Sequence, residues 1–227
     1  MKPFLNRNQI KYIVTAAMLI DHIAWLFVSP YSEKAFWMHF IGRLAGPTMA
    51  VFITEGYINT HDVNKYTGRL ALFALVSWPC FSLMEYNKIG FHFGVIFTLL
   101  LALIAVRICD TELSWTIKAA SVVLLCVLST FGDWSVFGVL FSVNAYIFYE
   151  KKTTRWIIHA AISMAVVIYY GFTEGGAGFQ LGTLLVVPMF LFLYNGEGGS
   201  KKPFHKWFFY VFYPLHMLVL WFIKYRL

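Results

Sequence analysis

Charge is scarce in this 227-residue chain. Asp, Glu, Lys and Arg make up 13% of it, against about 25% in a soluble domain. Hydrophobic residues make up 59%, and the two figures together exclude a water-soluble globule with a charged skin. A long polar block is also missing, so no separate soluble domain is expected. The three cysteines, Cys80, Cys109 and Cys126, each stand alone in or beside an apolar run. Without a CxxC or an extracellular pair they exclude a disulfide framework and a zinc knuckle. No HxxxH or HExxH occurs, so no metal centre is expected. No repeat relates the two halves, which weighs against the many transporter folds built from internal repeats.

What remains is a string of apolar runs. The sequence predicts an all-α, polytopic transmembrane helical bundle of about nine spans, forming one domain over 1–227. The spans fall at about 10–28, 37–58, 66–83, 91–108, 115–130, 134–149, 154–170, 179–194 and 207–223. Pro30 closes the first, Pro79 bends the third, and a glycine-rich loop over 171–178 precedes the eighth. The first run follows Lys2, Arg7 and Lys11, as in a signal peptide, but carries Asp21-His22 at its centre and no convincing cleavage site. It reads as a retained first span.

The net charge of +7 finds its explanation in topology rather than in nucleic acid. Thirteen of the 18 basic residues fall in alternate loops: Lys2, Arg7, Lys11; Lys65, Arg69; Arg107, Lys118; Lys151, Lys152, Arg155; and Lys201, Lys202, Lys206. The other side holds Lys34, Lys88, Lys224 and Arg226, and Arg43 lies inside a span. The basic side is expected to be cytoplasmic, so the chain is expected to be a multi-pass protein of the cell (inner) membrane with a cytoplasmic N-terminus.

Polar groups inside such spans are costly, and they usually serve a function. Asp21, Arg43 and His216 each lie six or seven residues from the outer end of a span, roughly 10 Å deep at 1.5 Å per residue. The first two spans form a hairpin, so an Asp21–Arg43 pair is expected. His22 is one position further out, and His39 and His92 are placed nearer the outer mouth. Glu55 lies toward the cytoplasmic end of the second span, and Gly42 and Gly46 form a GxxxG spacing beside Arg43. An acid beside a histidine suits general-base work, and an arginine at the same depth suits a carboxylate or a developing oxyanion. The set fits acyl transfer or proton-coupled transport. It also fits a buried ion pair that only fixes helix register.

Four stretches in order resemble the TraX family. They are Met18-Leu19-Ile20-Asp21-His22-Ile23, Ile41-Gly42-Arg43-Leu44-Ala45-Gly46-Pro47, Glu55-Gly56-Tyr57 with Thr60, Tyr66 and Arg69, and the end Phe208-Phe209-Tyr210-Val211-Phe212-Tyr213-Pro214-Leu215-His216. The middle of the chain, from Leu113 to Leu193, carries nothing diagnostic. Gly46 stands where the pattern leads one to expect a bulkier residue before the proline. The family's founding member is the acetylase of conjugative-pilus pilin, and the family is distantly similar to transmembrane acyltransferases. The resemblance implies acetyl-CoA as acyl donor and a catalytic set of Asp21, His22, Arg43 and His216, with His22 as base oriented by Asp21. It implies CoA phosphates at Lys65, Tyr66 and Arg69, and an acceptor near His39, Glu55, His92 and Tyr213. The acceptor would be the amine or hydroxyl of an extracytoplasmic or membrane-associated protein or glycan.

Three functions are therefore carried forward: a membrane acyltransferase, a proton-coupled transporter or flippase, and a non-catalytic assembly subunit. Stabilisation of the purified protein by acetyl-CoA separates the first from the other two.

Overall fold

A computed structural model describes residues 3–174 and 177–227. Lys2 and the Gly175-Gly176 part of the expected glycine-rich loop lie outside the described residues. The chain is an all-helical, polytopic membrane protein, with no strand among the described residues. In order the elements are α1 (Arg7–Phe27), α2 (Glu33–Gly42), α3 (Ala45–Ile58), α4 (Val63–Tyr86), α5 (Val95–Cys109), α6 (Trp115–Ser129), α7 (Ser135–Ile147) and α8 (Lys152–Glu174). A mixed segment follows: 3-10 turns over Ala177–Leu185, one α turn α9 (Val186–Pro188) and a π turn Met189–Leu193. The long α10 (Pro203–Arg226) ends the chain.

Two expected spans are not single α-helices. The second is broken at Arg43-Leu44 into α2 and α3. Pro47 has no amide hydrogen to donate to the carbonyl four residues back, and it is tolerated only in the first turn of a new helix. It sits there, two residues inside α3. The eighth span is the mixed segment. Pro188 again removes a donor, and the ladder after it shifts so that the Tyr194 amide reaches the carbonyl of Met189, five residues back, at 3.1 Å. The loop expected from 171 is also shortened, because α8 runs on to Glu174.

Four helices, Arg7–Phe27, Val63–Tyr86, Lys152–Thr173 and Pro203–Arg226, are long and apolar enough to cross a membrane alone. Much of their surface is apolar and outward: Leu75 is 64% exposed and Ile157 65%. Such faces need lipid rather than water around them.

The contacts divide the chain into two compact units. The first comprises residues 1–48 and 156–212. In it Asn6 caps α1 in a reciprocal box with Gln9, and Ser32 caps α2. The N-terminal strap is tied down where the Leu5 amide donates to the Leu193 carbonyl at 2.8 Å and the Asn195 amide donates to Leu5 at 2.9 Å. The second unit comprises 49–155 and 213–227. Its centre is α5, which packs against α4 and, around Leu101, Ala102, Ala105, Leu125, Val139 and Val143, against α6 and α7. A Cβ at Gly138 of α7 would stand 2.5 Å from Thr98 Cγ2, so the missing side chain lets α7 lie directly on α5.

Candidate functional site

In the first unit the Asp21 carboxylate is gripped from one face of α2. Its Oδ1 is 2.8 Å from His39 Nδ1, and its Oδ2 accepts from Arg43 Nη2. His39 and Arg43 are four residues apart and so face the same way, one turn above the other. Asp21 and His39 are buried, at 6% and 3% exposure, and the Arg43 side chain is 12% exposed. Glycine makes the approach possible, since a Cβ at Gly42 would lie 2.3 Å from Asp21 Cβ and 2.7 Å from its Oδ1.

Aromatic rings close over the histidine. Trp25 lies 4.3 Å from the His39 ring, centroid to centroid, and Phe179 lies 5.1 Å from it. Phe179 also carries the Arg43 guanidinium at 5.6 Å, a cation–π contact. The 3-10 segment that presents Phe179 lies close against α2, where a Cβ at Gly182 would fall 1.9 Å from the Phe40 carbonyl oxygen.

The expected Asp21–Arg43 pair is present. His39 is hydrogen-bonded to Asp21, a partner that the sequence reading, which sets Asp21 with His22, does not name. His22 is buried and lies near enough for its charge to act on Asp21. His39 is buried in the protein. α2 begins at Glu33 under a serine cap, earlier than the apolar run suggests, so His39 lies six residues inside the helix. The signal was available. The turn between α1 and α2 is centred near residue 30, so position 21 lies level with 39, and 43 follows one turn on.

The other expected residues lie in the second unit. Tyr213 is buried, and its hydroxyl accepts the Val95 amide at 3.0 Å. Gly94, which caps α5, offers no side chain for that amide, so Tyr213 supplies the cap from α10. His216 lies edge-on to Tyr213 at 5.7 Å and is buried. Glu55 is buried in α3, whereas His92 is exposed on the segment before α5, against the ring of Tyr86 at 4.5 Å. The Lys65 ammonium lies 3.1 Å from Asp62, the cap of α4. The Lys65 amide and ammonium hold the Asp62 carboxyl below its ordinary range. The hydroxyl of Tyr66 lies against Gly56, and the Arg69 guanidinium stands 6.0 Å from the Tyr66 ring.

A cavity of about 730 Å³ opens in this second unit at the junction of α3, α4 and α5. Its polar lining is Tyr57, His61, Asp62, Asn64, Arg107, Asp110 and Thr111, rather than Lys65, Tyr66 or Arg69. The Arg107 Nη1 donates to Thr67 at 3.0 Å and its Nη2 to Asn64 at 2.9 Å. Asp110 caps the end of α5 and accepts from the hydroxyls of Tyr146 and Tyr57. These two bonds hold its carboxyl below the ordinary carboxylate range.

The TraX protein family model matches residues 6–224. The chain belongs to the TraX family. It is also 29% identical over 227 residues to the "Probable fimbrial assembly protein FimC, serogroup H1" of Dichelobacter nodosus, with 93% of each chain covered. No solved structure matches it.

Proposed function

We propose that this TraX-family membrane protein is an acyltransferase. It takes an acetyl (acyl) group from cytoplasmic acetyl-CoA to an amine or hydroxyl of an extracytoplasmic or membrane-associated acceptor. The observation that carries the reading is the buried Asp21 carboxylate bound at once to His39 Nδ1 and to Arg43. With Asp21 accepting the Nδ1 proton, the imidazole presents Nε2 as its basic atom, the arrangement used to activate a nucleophile. The acceptor's N–H or O–H proton passes to Nε2 as its heavy atom attacks the thioester carbonyl. The new C–N or C–O bond forms, the C–S bond breaks, and the proton goes on to the departing CoA sulfur. Arg43 holds the carboxylate against α2, and its planar fork is suited to this where lysine is not. The rings of Trp25 and Phe179 keep water from competing as acceptor.

The basic residues support an orientation in the cell membrane with the N-terminus and the Lys65–Arg69 end inside. The relative's printed name favours a pilin-like N-terminus as acceptor. It equally suits a non-catalytic assembly subunit, and the two readings part on one measurement. Acetyl-CoA at a hundred times its dissociation constant should stabilise purified protein by about 2.7 kcal/mol. Transfer of a labelled acetyl group from acetyl-CoA into envelope protein or glycan then tests the base. His39→Gln should lower transfer on the order of 10²–10⁴-fold with donor binding kept, and His22→Gln should be mild. The reverse pattern makes His22 the base, and no stabilisation by acetyl-CoA removes the enzyme reading.

A further inference from the structure

The cavity in the second unit holds no residue of the Asp21 site, yet it is built rather than incidental. Its volume of about 730 Å³ falls within the roughly 300–1,000 Å³ of small-molecule sites. A guanidinium has five N–H donors. Arg107 uses two of them on Thr67 and Asn64, both in the first turns of α4. Those bonds fix the fork at the cavity wall and leave three donors for a ligand, which is the geometry that selects phosphate oxygens. His61 and Asn64 add further nitrogen donors to the same lining.

Two carboxylates also border the cavity, and they must be reconciled with an anion. Asp62 is matched by Lys65 at 3.1 Å. Asp110 is matched by the hydroxyls of Tyr57 and Tyr146, and is drawn toward the ends of α3 and α7, whereas Arg107 is drawn toward α4. A ligand that satisfies both therefore carries an anionic group for Arg107 and neutral donors, sugar hydroxyls or a ring amine, for Asp110. Tyr57, Ile104 and Ile108 supply apolar surface between polar groups. A phosphate, a sugar and a flat base meet all of these demands in one molecule.

We infer that this cavity binds a phosphorylated nucleoside, either free or as the nucleotide end of CoA. The CoA form rests on the acyltransferase reading; the site itself does not. In the CoA form the strongly charged end of the donor is held at the last turn of α5, by Arg107 and not by Lys65, whose charge is already matched.

The test uses the full chain in detergent, with acetyl-CoA, adenosine 3′,5′-bisphosphate and S-acetylpantetheine as probes in calorimetric titrations. Arg107→Gln should weaken acetyl-CoA and the bisphosphate alike, by roughly ten- to a hundred-fold, what one charge-assisted bond contributes, and leave S-acetylpantetheine unchanged. His61→Glu, on an exposed loop, places an anion at the cavity without touching the core, and should act in the same direction where Arg107→Gln folds poorly. Binding of the bisphosphate through Arg107 without binding of acetyl-CoA supports the site and removes the CoA source together with the enzyme reading. Wild-type affinity for acetyl-CoA in both variants overturns the site and leaves the enzyme reading standing. Binding of none of the three probes overturns both.

Discussion

Gly42→Ala should damage this protein more than its chemistry suggests. A Cβ at that position would lie 2.3 Å from Asp21 Cβ, 2.6 Å from its Cγ and 2.7 Å from its Oδ1. Carbon atoms in contact prefer about 3.5–4.0 Å, so α1 and α2 must part by more than an ångström. A hydrogen bond of 2.8 Å between His39 and Asp21 does not survive that displacement, and neither does the Arg43 contact beside it. Breaking a buried ion pair costs about 3–5 kcal/mol. Replacing a helical glycine by alanine returns at most about 1 kcal/mol, so a net loss of roughly 2–4 kcal/mol is expected. Gly68 is the matched control: it lies in α4, and a Cβ there meets nothing within 4 Å. Gly68→Ala should be neutral or stabilising by up to about 1 kcal/mol. The assay is thermal and denaturant unfolding of both variants in one detergent. Equal stability of the two would show that Asp21 is not pressed against α2, and the Asp21–His39–Arg43 arrangement would fall with it.

Three further outcomes are expected. Tyr213→Phe orphans the Val95 amide and should cost about 1–3 kcal/mol of stability, measured by unfolding in detergent; an unchanged midpoint would return Tyr213 to the acceptor site. Asp110 has a depressed carboxyl pKa, so the stability it contributes is complete above the unfolded value of about 4 and is lost as pH falls through the lower folded value. The wild-type acid-unfolding midpoint should therefore rise in the Tyr57→Phe, Tyr146→Phe double variant, and identical acid limbs would contradict the tyrosine grip. Gly182→Ala sets a Cβ 1.9 Å from the Phe40 carbonyl oxygen; it should lower stability and loosen Phe179 from His39, read as increased solvent quenching of Trp25 fluorescence.

Much of the fold was legible because the bilayer imposes one rule: long apolar runs become helices that satisfy their own backbone. The first, third, seventh and ninth expected spans are continuous helices, α1, α4, α8 and α10. The rule says nothing about hydrogen-bond register inside a run. Pro47 and Pro188 each remove one donor, and the ladder answers differently in each case. It breaks at Arg43-Leu44, and it shifts to a π turn at Met189–Leu193. Hydropathy averages over such a window, so a single missing donor is invisible to it. The proline positions alone do not decide it either, because Pro79 and Pro214 lie inside the continuous helices α4 and α10.

At the candidate site, reading depth from the edges of the apolar runs separated His39 from Asp21, its hydrogen-bond partner. Helices do not begin where hydrophobicity begins. They begin at a cap, and Ser32 starts α2 with Glu33 and Lys34 already helical. Counting from Glu33, the first residue of α2, and from the last residue of α1, Phe27, puts Asp21 six residues from one helix end and His39 six residues from the other. The level pair across the hairpin is then Asp21 with His39, and the fourth residue beyond His39 is Arg43. Gly42 completes the pattern, because a carboxylate can be received by two side chains one turn apart only where the helix surface between them is bare. A sequence reading built on caps rather than on hydropathy edges would have joined these four residues and paired Asp21 with His39. By contrast, Phe179 and Gly182 could not have been joined to them from the sequence: their proximity depends on the 3-10 course of a segment whose composition reads as an ordinary span.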